Sequence, residues 1–143
     1  MKYLPILVLT AVSAFGQSAP RSVYILPMAG GLDQYLAQWL TRDHVMQVVT
    51  DAKLADTVLT DRLGDAFEQK MAELHPKDDK KSDTATRNVF RASKGRGTVF
   101  LVDAKSRQVL WSDYEKVPGS NSNDSLNLEA ERIAKKMQLS PAK

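Results

Sequence analysis

The chain has 143 residues, no cysteine and a formal net charge of +3. A chain of this length is typical of one domain, which buries roughly two-thirds of its unfolded surface on folding and needs neither a disulfide nor a structural metal. The absence of cysteine excludes disulfides and a lipid-modified amino-terminal cysteine, so we expect a soluble product that is not a lipoprotein.

Residues 1–16 have the pattern of a cleavable signal peptide. The segment carries a single positive charge near its start, followed by an apolar run of about thirteen residues. This run is shorter than the ~20 residues that span a bilayer. Ala14 and Gly16 supply the small side chains that a signal peptidase needs before Gln17. We expect export, either to the periplasm or out of the cell, and a mature domain at 17–143; a retained membrane anchor is the alternative.

The first half of the mature chain predicts a parallel strand pair. Residues 22–28 are rich in β-branched and aromatic side chains and predict a strand. After the turn at Gly30-Gly31, apolar residues recur with the spacing of one helical face as far as Arg42. Residues 45–50 predict a second strand. Strand, helix and strand with short links imply a right-handed crossover between parallel strands.

A third strand and a second helix follow. Asp51 is placed to cap a helical turn in the connection to a strand at 57–63. Gly64 ends this strand, and the apolar spacing beyond it predicts a helix at 65–74. Asp65 and Glu68 have the spacing of a capping box, with Asp in place of the usual Ser or Thr.

Residues 75–96 have no periodicity, and a connection of this length is unusual in a compact domain. We therefore expect a loop that is either mobile or functional. Its part at 77–96 holds seven basic and three acidic residues. Six of the basic residues are candidates for binding an anionic polymer, a lipid headgroup or an acidic partner: Lys80, Lys81, Arg87, Arg91, Lys94 and Arg96. The alternative is a solvated charged loop.

The last third of the chain predicts a hairpin and a helix. The continuous apolar run at 98–102 predicts a central strand buried on both faces. A turn and a returning strand at 109–114 complete the hairpin. A final helix begins near Asp124 or Ser125, and Pro141 ends it. The full order β-α-β-β-α-β-β-α predicts an α/β fold with a mixed sheet of about five strands and helices packed on it.

The sequence contains no recognisable catalytic signature. His44 and His75 are the only histidines, and they lack the short spacing of metal ligands. No Gly-x-Ser-x-Gly elbow occurs. Asp103, Asp113 and Glu115 lie on or beside the hairpin, where alternating positions favour a solvated face over an acid–base pair. We predict no metal, no cofactor and no enzymatic activity, with a small secreted hydrolase as an alternative.

Gly30-Gly31 lies between a strand and a helix, where an anion can bind. The segment lacks the third glycine of a dinucleotide-binding turn and the Lys-Ser/Thr of a P-loop. Asp33 in the first helical turn would also repel an anion. We therefore interpret the two glycines as a tight turn into the helix.

Three blocks of sequence, at 23–60, 98–112 and 130–137, resemble a known type of domain. Together they resemble the small α/β domain of bacterial envelope proteins such as CsgG, LpoB and the amino-terminal domain of TolB. The resemblance covers most of residues 22–137 apart from 75–96. It implies an accessory or binding domain that contacts another envelope protein. These proteins share no active site, so the resemblance implies no catalytic residue.

Overall fold

A computed structural model describes residues 21–75, 97–116 and 122–140. The segments predicted as signal peptide and basic loop lie outside these ranges, except for His75. The described residues form an α/β fold, with an open mixed sheet of five strands and three helices in the predicted order. The elements are β1 (Ser22–Ile25), α1 (Leu32–Arg42), β2 (Gln47–Val48), β3 (Thr57–Thr60), α2 (Asp65–Leu74), β4 (Thr98–Asp103), β5 (Val109–Tyr114) and α3 (Asn123–Leu139).

The strand order across the sheet is β2-β1-β3-β4-β5. β1 pairs in parallel with both β2 and β3, which confirms the predicted parallel pair of strands joined by α1. β4 runs antiparallel to β3 and to β5. All four residues of β3 are buried, whereas Thr98 and Phe100 of β4 are only half-buried. β3 is the middle strand of the sheet, and β4 lies beside it as a second interior strand. Residues of β4 are buried on both faces, Val99 and Leu101 on one and Val102 on the other, as predicted for 98–102.

The sheet carries helices on both faces. α1 and α3 cover one face, where their apolar sides pack together with residues from β1, β3 and β4. α2 covers the other face through Phe67 and Met71, which contact Leu26, Val58 and Val102. Because side chains alternate along a strand, β1, β3 and β4 each contribute to both cores. Within the described ranges, none of the helices has the length and hydropathy needed to cross a membrane.

The cap predicted for the start of α2 is wrong, whereas the predicted start of α3 is close to the observed one. α2 begins at Asp65, but its N-cap is Gly64, and no side chain caps it. The predicted capping box is wrong because Asp65 is already the first helical residue, one position too late to act as the N-cap. α3 begins at Asn123, close to the predicted start, and the Ser122 side chain accepts a hydrogen bond from the Ser125 N–H.

The connection from β2 to β3 passes the start of β1. Asp51 caps a short 3-10 turn at Ala52–Leu54 and accepts the Lys53 N–H at 2.9 Å, as predicted. Asp56 Oδ2 then accepts a hydrogen bond from the Ser22 hydroxyl at 2.9 Å. The link from β2 to β3 therefore contains one 3-10 turn and no α-helix, and its hydrogen bond to Ser22 holds it against the start of β1.

Candidate functional site

The six residues predicted to bind anions all lie outside the described residues: Lys80, Lys81, Arg87, Arg91, Lys94 and Arg96. The basic segment therefore stays a prediction from sequence.

The Gly30-Gly31 turn has its amide donors engaged by the protein itself. The Met28 N–H donates to Asp33 Oδ1 at 3.1 Å, and the Ala29 N–H donates to Asp61 Oδ2 at 3.0 Å. The Gly31 N–H donates to the Met28 carbonyl oxygen. Both glycines adopt positive φ, the left-handed conformation that glycine reaches without a steric penalty. These features support a tight turn, held by two carboxylates, and not an anion cradle.

The two histidines lie on different sides of the sheet. His44 follows α1, and His75 is the C-cap of α2. Among residues 21–75, 97–116 and 122–140, no group of three or more His, Cys, Asp or Glu residues is placed to hold a metal ion. His44 lines a shallow groove of about 290 Å³ beside β2, together with Thr41, Met46, Gln47 and Val48.

Asp103 has a structural role in the hairpin turn. It accepts hydrogen bonds from the Ser106 N–H at 2.7 Å and the Lys105 N–H at 3.0 Å. The bonds from Ser106 hold the pKa of the Asp103 carboxyl below its usual value, and the Lys105 N–H adds to this effect. A general acid at neutral pH needs a raised pKa, so this carboxylate is unsuited to that task.

Asp113 and Glu115 form a cluster with two cations of α3. Lys136 Nζ lies 2.7 Å from Asp113 Oδ2 and 2.7 Å from Glu115 Oε2, and Arg132 Nη1 lies 2.9 Å from Glu115 Oε1. The bond from Lys136 is the largest cause of a lowered pKa for Glu115, and the two carboxylates raise the pKa of Lys136. The cluster therefore fastens α3 to β5 and to the residue that follows it.

Half of the backbone groups of β5, an edge strand, point away from its neighbour β4. The Glu115 N–H donates to the Gly97 carbonyl oxygen at 2.7 Å, which makes these two residues a hydrogen-bonded pair. Such pairs alternate along an antiparallel ladder. The observed register then places the N–H and C=O groups of Ser112 and Tyr114 on the side away from β4. Within the described ranges, no strand pairs with that side.

Side chains on the α2 side of β5 add apolar surface to this edge. Val109 is 46% exposed and Tyr114 is 63% exposed. In the β4–β5 ladder, Val109 pairs with Val102 and Tyr114 pairs with Thr98. Val102 and Thr98 lie on the α2 face of β4, on either side of Phe100. The opposite edge of the sheet, β2, has only two residues, and very short edge strands are poor templates for further pairing. The β5 edge, which we define as Val109–Tyr114 with its outward backbone groups, is thus the candidate functional site.

Sequence reasoning located β5 but missed its role at the edge of the sheet. The order of strands in space follows from long-range packing, and the hairpin alone does not say which of its strands lies outermost. The acidic residues at 113 and 115 alternate as expected of one strand face. Their partners Arg132 and Lys136 lie four residues apart on one side of a helix, a spacing that offered a weak signal.

Comparisons of the chain with protein-family models, with curated proteins and with solved structures give no match. The resemblance to the CsgG, LpoB and TolB domains therefore stays a prediction from sequence.

Proposed function

We propose that the protein is an exported, non-enzymatic accessory domain of the bacterial cell envelope, and that it binds another protein through the β5 edge. Export is supported by the signal-peptide pattern at 1–16. An envelope role is supported by the sequence resemblance described above.

The observation that carries the proposal is the set of outward backbone groups at Ser112 and Tyr114. An exposed strand edge binds an extended segment of another protein by adding a strand to the sheet. In this mode backbone hydrogen bonds supply affinity, and the side chains on either face of the edge supply specificity. The exposed side chains of Val109 and Tyr114 provide such a face.

Ser112→Pro is a direct test of this mode of binding. Proline removes the N–H that points away from β4, keeps the ladder between β4 and β5, and places its ring where an added strand would lie. Ser112→Ala is the matched control, because it removes the hydroxyl but keeps the N–H. A photo-reactive benzoylphenylalanine in place of Tyr114 would identify the bound segment by cross-linking in intact cells.

We expect one cross-linked partner that is retained in Ser112→Ala and lost in Ser112→Pro. Equal cross-linking in both variants would contradict binding through the β5 edge. Tyr114→Pro, tested without the cross-linker by co-purification of the identified partner, provides a second blocked edge if Ser112→Pro folds poorly. Export is tested separately, since the purified native product should begin at Gln17 and be recovered outside the cytoplasm.

A further inference from the structure

We infer that the segment bound at the β5 edge is an extended strand with acidic side chains on alternate residues, and that these contact Arg132 and Lys136 of α3. This inference rests on the proposed function, because it names the chemistry of the partner at the same edge.

The two cations lie beside the edge and keep hydrogen-bond donors to spare. Lys136 has three N–H donors, and Asp113 and Glu115 take two of them. Arg132 has five N–H donors, and one of them is used by Glu115. In the described part of the chain no further acceptor contacts either cation. Among the described residues, each side chain therefore keeps donors that have no acceptor, and such donors suit carboxylates.

The cations are also the outermost members of their ion pairs. The Arg132 and Lys136 side chains are 50% and 43% exposed, whereas those of Glu115 and Asp113 are 13% and 23% exposed. The negative charges are thus held inward and compensated, and the positive charges point to solvent. A strand added beside β5 would place every second side chain on this α3 side, next to these cations.

The other face of the added strand meets a different surface. On the α2 side, Val109 and Tyr114 expose apolar area. A strand that alternates acidic and apolar residues would therefore match both faces of the edge at once. This alternation distinguishes the expected partner from a uniformly acidic polymer.

The same charges argue against a second copy of this chain as the occupant. Pairing of two β5 edges around a two-fold axis would extend the sheet and bring α3 of each copy to the same face. The α3-side residues that a second β5 strand would offer are Trp111 and Asp113, and Asp113 is already paired with Lys136 of its own copy, so this strand does not supply the alternating carboxylates that the two cations suit.

Synthetic peptides test the inference with a defined probe. The probe is a fluorescently labelled octapeptide, Thr-Val-Glu-Val-Glu-Val-Glu-Thr, whose binding to the purified protein is measured by fluorescence anisotropy. Two control peptides replace all three glutamates with lysine or with glutamine. We expect the glutamate peptide to bind at least tenfold more tightly than the lysine peptide, with the glutamine peptide between them.

Protein variants then separate contact at the edge from general attraction. Arg132→Gln should weaken binding of the glutamate peptide by about two- to fivefold, the effect of losing one exposed ion pair. Lys135→Gln is the matched control, since it removes the same charge from α3 but its ion pair is with Glu131 of the same helix. It should leave the affinity unchanged. Ser112→Pro should abolish binding, and Ser112→Ala should not.

Several results would overturn the inference. Equal binding of the glutamate and lysine peptides, or absence of binding by all three, excludes an acidic strand. Binding that survives Ser112→Pro indicates attraction without strand addition. A concentration-dependent dimer that Ser112→Pro disrupts identifies a second copy as the occupant. If the cross-linked segment is lost in Ser112→Pro but has no acidic alternation, the proposed function stands and this inference fails.

Discussion

Gly97 supports the β5 edge, and replacing it with alanine should disturb that edge. The residue is buried and has φ of +99°, in the region that favours glycine. A Cβ at this position would lie 2.4 Å from the backbone oxygen of Glu115. No real Cβ tolerates that distance, so the backbone at the end of β5 must shift. The Glu115 N–H to Gly97 oxygen bond lies at the same point and would be stretched or lost.

The expected loss of stability has three parts. A non-glycine residue at positive φ costs about 1–2 kcal/mol. Loss of the Glu115 N–H to Gly97 bond adds about 0.5–1.5 kcal/mol, and the clash itself adds strain of similar size. Alanine reduces the freedom of the unfolded chain, which offsets about 0.4–1 kcal/mol. Together these contributions should make Gly97→Ala lower the free energy of unfolding by about 2–4 kcal/mol.

Urea denaturation of the purified protein measures this loss, and Gly31→Ala is the control. Gly31 has φ of +82°, but a Cβ there meets nothing within 4 Å. Gly31→Ala should therefore show only the conformational part, about 1 kcal/mol or less after the offset. If Gly97→Ala is no more destabilising than Gly31→Ala, the close approach to Glu115 does not carry the effect and the reasoning is refuted.

Three further predictions concern the core and the ion pairs. Leu36→Ala should lower the free energy of unfolding by about 2–5 kcal/mol in urea denaturation, because Leu36 is fully buried; a loss under 1 kcal/mol would contradict tight packing of α1. Trp39→Phe removes the 2.8 Å bond from the Trp39 indole N–H to Asn127 Oδ1, which links α1 to α3. It should cost about 1–2 kcal/mol, and a double-mutant cycle with Asn127→Ala should show coupling and not additivity. The hydrogen bond from Lys136 is the main reason why the pKa of Glu115 is lower in the folded state than in the unfolded state. The ionised Glu115 therefore stabilises the folded protein above the unfolded-state pKa, and this contribution is lost as the pH falls through the folded-state pKa. Glu115→Gln should therefore be less stable than the wild type at pH 7, and the difference should vanish in acid; a constant difference from pH 7 to pH 2 would refute the linkage.

The site was harder to predict than the fold. β5 was predicted with its observed bounds, and Asp113 and Glu115 were expected on a solvated face. Their ion pairs with α3 join residues about twenty positions apart along the chain, and no local pattern fixes which helix packs beside which strand. The capping box at Asp65 failed for a local reason, because Gly64 already occupies the N-cap.

The sequence by itself determined the elements and their order, because hydrophobic periodicity and turn residues act over a few neighbouring positions. The bounds of α2 and β5 follow directly from such local signals. Only the tertiary structure decided that, among the described residues, β3 lies at the centre of the sheet, α2 lies on the face opposite α1 and α3, and β5 lies at an edge. These features depend on which surfaces bury each other, and burial is a property of the whole chain that no single segment encodes.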